Sequence, residues 1–360
     1  MRHQRYATRM TTSKLHPPGQ STATKPASFG VLLINLGTPS APTPQAIRRY
    51  LAEFLSDKRV IEASRWIWWP VLYGLILPTR PRRLAKAYQK IWTKFGSPLA
   101  VETQALAVAL QEQMRLQYPQ QNPVVDYAMC YGEPSIATAY QNLRKRGVQR
   151  VFVVPLYPQY SATTTAAAID LLNATLARER YLPELRIVTD YHAFPAYIEA
   201  LALSVEHHRK QHGSAQKLLL SFHGLPQSYV DAGDPYAEHC FATARLLAKR
   251  LGLSADSWSL SFQSRFGPKA WLKPYTSELL AEWAGAGIHT VDVICPGFAV
   301  DCLETLEEIT LQNQEHFQAQ GGKQLRYIPA LNGSVAHVAL HTALIAERCS
   351  DWLNATPVTP

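Results

Sequence analysis

With 360 residues, 47% of them apolar and 18% charged, the chain is long enough for two domains and low enough in charge to leave apolar surface over. Five cysteines, odd in number and without a C-x-x-C pair, exclude a disulfide framework and a zinc knuckle. No Fe–S cluster is expected either, since that ligation usually takes four thiolates and only Cys349 stands near the C-terminus. The net charge of +9 is uneven: residues 1–100 hold 16 Lys and Arg against 3 Asp and Glu, so this quarter of the chain suits an anionic partner.

Residues 1–27 are polar and basic with no apolar core segment, which predicts a disordered basic tail and no secretory signal. An apolar run at 29–36 reads as a buried strand and 44–55 as a helix. Trp66–Pro78 then runs thirteen residues without a charge, between Lys58, Arg59 and Arg65 on one side and Arg80, Arg82 and Arg83 on the other. A bilayer span needs about 20 apolar residues, so this run is too short to cross. Tryptophans beside arginines suit a membrane–water interface and not a nucleic acid. Pro70, Gly74 and Pro78 interrupt it as a core helix. The run is expected to form a partly exposed apolar lip facing an anionic membrane surface, and no nucleic-acid partner is expected.

A helix at 98–118, a strand at 123–131, a helix at 134–146, a strand at 150–156 and a helix at 163–180 complete a first series. A second series has strands near 185–189, 217–222, 258–262 and 290–295, with helices near 195–212, 235–251 and 276–284. A helix near 334–349 closes the chain. Such alternation predicts parallel sheets covered by helices, and strands that are continuous apolar runs predict burial of both sheet faces. The expected fold is α/β: two Rossmann-like lobes, each a parallel four-stranded sheet flanked by helices, with a cleft between them. The lobes are placed at 28–180 and 181–330, with 331–360 packing back on the first lobe.

In open α/β sheets, ligands bind beyond the carboxyl ends of the strands. Those ends carry Asn35-Leu36-Gly37-Thr38-Pro39, Tyr157-Pro158-Gln159-Tyr160-Ser161, Ser221-Phe222-His223-Gly224-Leu225-Pro226, Gln263-Ser264-Arg265-Phe266-Gly267 and Asp301-Cys302-Leu303-Glu304. His223 follows Leu218-Leu219-Leu220 directly, and an imidazole there either takes a proton, ligates a metal, or is structural. Glu304 and Glu308 are four apart and share a helix face, with Asp301 a turn earlier. Such a line is either a solvated face or oxygen ligands for a divalent cation.

In this order, and joined by Gly233-Asp234-Pro235-Tyr236, Trp271-Leu272 and Thr305-Leu306-Glu307-Glu308, these motifs resemble those of the ferrochelatases (protoheme ferro-lyases) from about residue 29 to 347. The resemblance implies insertion of Fe2+, as a substrate, into protoporphyrin IX to give protohaem, with no organic cofactor. It implies that His223 and Glu304 are catalytic and that His223, Glu304 and Glu308 face the metal, with Glu308 passing metal in or protons out. Leu36, Tyr131, Tyr160, Trp271 and Phe298 then line or adjoin the porphyrin pocket. The enzyme is expected in the cytoplasm, peripherally associated with the membrane through the lip.

Three positions depart from the family pattern. Cys130 stands where relatives often have Arg, and Cys302 where some have His. Gln312 replaces a third acidic residue expected on the Glu304–Glu308 face. A two-lobed binding protein would share the β–α alternation but gives no reason for the His223/Glu304 pair. Within the chelatases, the apolar lip favours protoporphyrin over the more polar coproporphyrin or sirohydrochlorin.

Overall fold

A computed structural model describes residues 29–354, so the tail expected over 1–27 lies outside the described residues. Eight strands form two all-parallel, four-stranded sheets. In the first, β1 (Phe29–Gly37) pairs with both β2 (Val124–Tyr131) and β3 (Arg150–Pro155), and β4 (Glu184–Ile187) adds to β3, giving the order β2-β1-β3-β4. The second repeats this plan as β6-β5-β7-β8, from β5 (Lys217–His223), β6 (Trp258–Gln263), β7 (Thr290–Ile294) and β8 (Gln324–Ile328). The strand order therefore reverses beside β1 in one sheet and beside β5 in the other. At such a reversal the connections leave in opposite directions and open a crevice at the carboxyl ends.

Two strand assignments differ from the sequence expectation. The strand expected to open the second series is β4, which pairs with β3 through Arg150–Glu184 and Val153–Ile187, so the first sheet extends past the boundary placed at 180. Apolar pattern marks a strand but not its partner, and β4 is short and only partly buried. The last strand, β8, was not expected, because Gln324, Arg326 and Tyr327 interrupt its apolar pattern. Arg326 is held there by the fully buried Asp292 of β7 at 2.7 Å.

Both faces of each sheet are covered, as their continuous apolar strands require. In β1, Leu32 and Ile34 pack with Tyr140, Leu143 and Leu172 from helices Ile136–Lys145 and Ala167–Leu176. Phe29, Val31 and Leu33 face the other way, into a core that runs on to Leu218, Leu220 and Phe222 of β5. Helices Pro98–Gln117, Pro195–His212 and Val335–Arg348 contribute Leu110, Val205 and Leu344 to this shared core. The C-terminal helix lies against the other two, so it packs on the first lobe's covering helix. One continuous core spanning both lobes fixes their mutual orientation.

The uncharged run is helical throughout, contrary to the expectation that its prolines and glycine break it. Helix Arg65–Val71 passes through a π-helical turn, Leu72–Ile76, into helix Leu77–Ile91. Pro70 deprives the Trp66 carbonyl of its helical partner, and Trp66 is 92% exposed, so that carbonyl sits where solvent is at hand. Leu72 and Ile76 point inward, and Trp68 anchors the run by donating its indole N–H to the Leu55 carbonyl at 2.7 Å. Trp66, Ile67, Trp69, Tyr73 and Leu75 are left exposed.

Candidate active site

His223 ends β5, and Leu218, Leu220 and Phe222 before it are wholly buried, so the strand delivers the imidazole to the surface at its carboxyl end. Its Nδ1 lies 2.7 Å from the Gly224 carbonyl oxygen. A carbonyl only accepts, so Nδ1 carries a proton, and in the neutral ring Nε2 presents a bare lone pair. The Tyr236 hydroxyl donates to the His223 carbonyl at 3.0 Å and steadies the strand end from the other side.

Gly224 is required by space. A Cβ there would stand 2.7 Å from the Gln263 carbonyl oxygen and 3.0 Å from the Trp271 ring. Trp271 therefore lies against the backbone that anchors His223, and its indole N–H donates to the Phe266 carbonyl at 2.9 Å. Phe298, in the loop after β7, puts its ring centroid 6.3 Å from that of His223. The Arg80 guanidinium of the first lobe lies 4.2 Å from the centroid of the Phe266 ring of the second. His223, Trp271, Phe266 and the lip helix are thus linked in sequence across the opening.

The carboxylates come from the next strand exit. Glu304 opens a ten-residue π-helix, Glu304–Asn313, in which side chains five apart are neighbours. The Thr310 hydroxyl donates to the Thr305 carbonyl, and the Asn313 amide to the Glu308 carbonyl. Glu304 and Glu308 are both half-buried on it. The five-residue spacing also corrects one expectation: Gln312 does not extend the Glu304–Glu308 face but donates to Glu307, which is buried and paired with Lys90 at 3.1 Å.

Glu308 is gripped by Ser264, whose amide donates to Oε1 at 2.7 Å and whose hydroxyl donates to Oε2. Ser264 reaches it from a left-handed backbone conformation, φ +64°, that costs a non-glycine residue about 1–3 kcal/mol. Gln263 ties the two exits together. It pairs with His223 in the sheet and donates its amide to the Glu304 carbonyl at 2.9 Å, while its side-chain oxygen accepts the Ser221 hydroxyl at 2.7 Å. Burial raises the pKa of Glu308 and the Glu304 charge adds to this, while Ser264 and nearby His223 act in the opposite direction.

Asp301 does not belong to this face. Its carboxylate accepts from the Tyr327 hydroxyl at 2.6 Å, the Asn332 amide at 2.6 Å and the Thr305 hydroxyl at 3.2 Å, so its lone pairs serve the turn into the π-helix. Cys302 is buried with Leu99, Met129 and Val300, and burial together with the Glu304 charge holds its thiol protonated. Cys130 lies 3.9 Å from the Tyr157 hydroxyl inside the first lobe, its thiol pushed up to about 12 by burial. Neither cysteine offers an ionised ligand or a positive charge to the opening.

The five pocket positions separate into two groups. Leu36, Tyr160, Trp271 and Phe298 are partly exposed at strand exits. Tyr131 is 2% exposed, and its hydroxyl donates to Asp57 at 2.9 Å, so it backs the wall instead of lining it. The loop carrying Tyr160 is pinned to the second lobe. Asp234 accepts the Ser161 hydroxyl at 2.8 Å and the Ala162 amide at 2.7 Å, and the buried Gln159 amide donates to Thr243 at 3.0 Å. The residue reading missed Gln263 and Ser264 as holders of the carboxylates, and Tyr50 and Tyr88, whose phenols are raised by burial and by Glu304. Position at a strand exit was the one available signal, and for the two tyrosines there was none.

The frame is that of a chelatase. The chain superposes on SirB from Bacillus subtilis with Fe3+ at a TM-score of 0.53 and 13% identity, over 90% of this chain and 97% of that one. It superposes similarly on the sirohydrochlorin chelatase SirB from Bacillus subtilis subspecies spizizenii in complex with cobalt, at 0.52 and 12%, over 90% and 96%. This likeness establishes the fold. The family is fixed by sequence: the ferrochelatase family model matches residues 28–349, and the chain belongs to the ferrochelatases. Similar relatives include ferrochelatase 1 of Shewanella oneidensis, 49% identical over 93% of this chain and 99% of that protein. The ferrochelatases of Aeromonas hydrophila (50%, over 88% and 98%) and Methylococcus capsulatus (51%, over 89% and 96%) are alike.

Proposed function

We propose that His223 is the proton acceptor, and Glu304 with Glu308 the metal-facing carboxylates, in the ferrochelatase reaction. The reaction itself follows from the family: Fe2+ enters protoporphyrin IX, two pyrrole protons leave, and protohaem forms in haem biosynthesis. The observation that carries the residue roles is the 2.7 Å contact of His223 Nδ1 with the Gly224 carbonyl, which leaves Nε2 as a lone pair at the strand exit. A neutral imidazole in that tautomer is a general base for a pyrrole N–H, or a first ligand for the arriving ion. Glu304 takes the proton onward or orients His223. Glu308, its pKa raised by burial, holds a proton to higher pH than an ordinary glutamate does.

Porphyrin is gripped by Leu36, Tyr160, Trp271 and Phe298, with Tyr131 behind them. Holding the ring bent exposes its nitrogens, at a strain of about 1–5 kcal/mol drawn from such wall contacts. No organic cofactor and no Fe–S cluster enter this reading.

The exposed Trp66, Ile67, Trp69 and Leu75, with the exposed Arg82 and Arg83, form the surface by which a cytoplasmic enzyme rests on an anionic membrane. Among the described residues no helix is long and apolar enough to cross one. The deciding experiment offers Fe2+ with protoporphyrin IX, coproporphyrin or sirohydrochlorin in turn and follows the absorption bands. Insertion should be fastest with protoporphyrin; failure with it alone would refute the substrate reading.

A further inference from the structure

Asp190, His192 and His239 each bring one potential ligand atom to within 4.8 Å of the others. Asp190 and His192 follow β4 of the first lobe, and His239 stands in the first turns of helix Tyr236–Arg250 of the second. The two imidazoles stack, with centroids 3.7 Å apart and 12° between their planes, and all three residues are half-buried. Each neutral ring has one unprotonated nitrogen, unpartnered in His192 and engaged by a backbone amide in His239. His192 Nδ1 lies 2.7 Å from Asp190 Oδ1, so it carries the proton and Nε2 is free. His239 Nδ1 accepts the Tyr160 amide at 3.2 Å, so the proton of that ring is on Nε2. Among the described residues, none of the three hydrogen-bonds to His223, Glu304 or Glu308.

We propose that Asp190, His192 and His239 form a second metal site, for one divalent ion of the Zn2+, Co2+ or Ni2+ class, whose filling releases the Tyr160 amide. Two imidazoles and a carboxylate are the donor set such ions prefer over Mg2+ or Ca2+, and half-burial leaves room for water in the remaining positions. The release follows from the tautomers. If His239 binds the ion through Nδ1, the ion takes the lone pair that Tyr160 uses. If it binds through Nε2, the proton moves to Nδ1, which then has nothing to accept with. Either way the Tyr160 N–H loses its acceptor, so an ion at this seam loosens the loop that Asp234 and Gln159 otherwise hold. The inference does not depend on the roles proposed for His223 and Glu304.

The test uses the full-length protein carrying His223→Ala and Glu304→Gln, which removes the main competing ligands, titrated with Co2+ alone. One equivalent should bind at micromolar concentration with a visible absorption band. Adding His192→Gln, or separately Asp190→Asn, should weaken that binding by about 10- to 100-fold. Asp190 and His192 are half-buried, so an unchanged melting temperature is required of each variant to certify that it is folded. Hydrogen exchange of the Tyr160 amide should quicken severalfold on Co2+ addition and not respond in the His192→Gln protein. No Co2+ uptake below millimolar concentration, or equal uptake in all three proteins, would overturn the site. Uptake with unchanged Tyr160 exchange would overturn the release.

Discussion

The Asp234 carboxylate accepts the Ser161 hydroxyl at 2.8 Å across the seam between the lobes, while its other oxygen accepts the Tyr236 amide at 3.0 Å. Tyr236 in turn holds the His223 carbonyl. A single buried charge therefore sets the Tyr160 loop and the His223 strand end relative to each other. Hydrogen bonds to a charged group are worth about 1.5–3 kcal/mol each. Asp234→Ala should lower the unfolding free energy by about 3 kcal/mol and raise KM for porphyrin more than it lowers kcat. Urea unfolding and steady-state insertion assays measure both; an unfolding change under about 1 kcal/mol would contradict the clamp.

At the chemical centre, His223→Ala and Glu304→Gln should each slow ferrous insertion by at least about 100-fold, the scale of lost acid–base catalysis. Porphyrin binding, read by fluorescence quenching, should survive, because the walls are untouched. Near-normal turnover in either variant would remove that residue from the mechanism.

The lip separates two kinds of tryptophan. Trp66→Ser with Trp69→Ser should weaken binding to anionic vesicles while leaving activity in detergent intact, since both rings are exposed. Trp68→Ser should instead lower the melting temperature, because its indole is packed and bonded to Leu55. Vesicle flotation and thermal melts distinguish the two; unchanged flotation of the double variant would dismiss the membrane surface.

Acid should weaken the shared core. His337 and His341 are buried against one another, Nε2 to Nε2 at 3.1 Å, and burial lowers the pKa of His337 to about 4 and that of His341 well below its ordinary value. Unfolding lets both take up protons, so their contribution is complete above about pH 6.5 and is lost as pH falls toward 4, about 3 kcal/mol for His337 alone. Glu308 acts oppositely: its raised pKa makes the folded state the better proton binder, so its contribution falls as pH rises above the usual glutamate range. Between pH 6.5 and 5 the urea midpoint should therefore drop, and drop less in His337→Gln/His341→Leu. Glu308→Gln should make the acid loss steeper.

Much of this architecture was legible in the sequence, because parallel strands buried on both faces leave continuous apolar runs. Leu218-Leu219-Leu220 announced β5 and therefore the place of His223. The edges were harder. β4 and β8 carry Glu184 and Arg326, and their partners are chosen by pairing, which no local pattern records. Within the site, Glu304 and Glu308 were found as a spaced pair, but their holders were not. Ser264 works through a backbone torsion, and Gln263 through bonds to residues 42 and 41 positions away in the chain. Gln312 was misplaced because the expectation assumed a turn of 3.6 residues where the chain winds wider.

That wider winding changes what kind of lesion the site is sensitive to. Over ten residues the π-helix accommodates more chain per turn than an α-helix, and the neighbours Glu307 and Gln312, Thr305 and Thr310, depend on it. Shortening the stretch between Glu304 and Asn313 by one residue would favour the narrower winding of an ordinary helix there. It would swing Glu308 away from Ser264. The segment can thus lose its chemistry while keeping its fold, through a frame slip that no single side-chain replacement imitates.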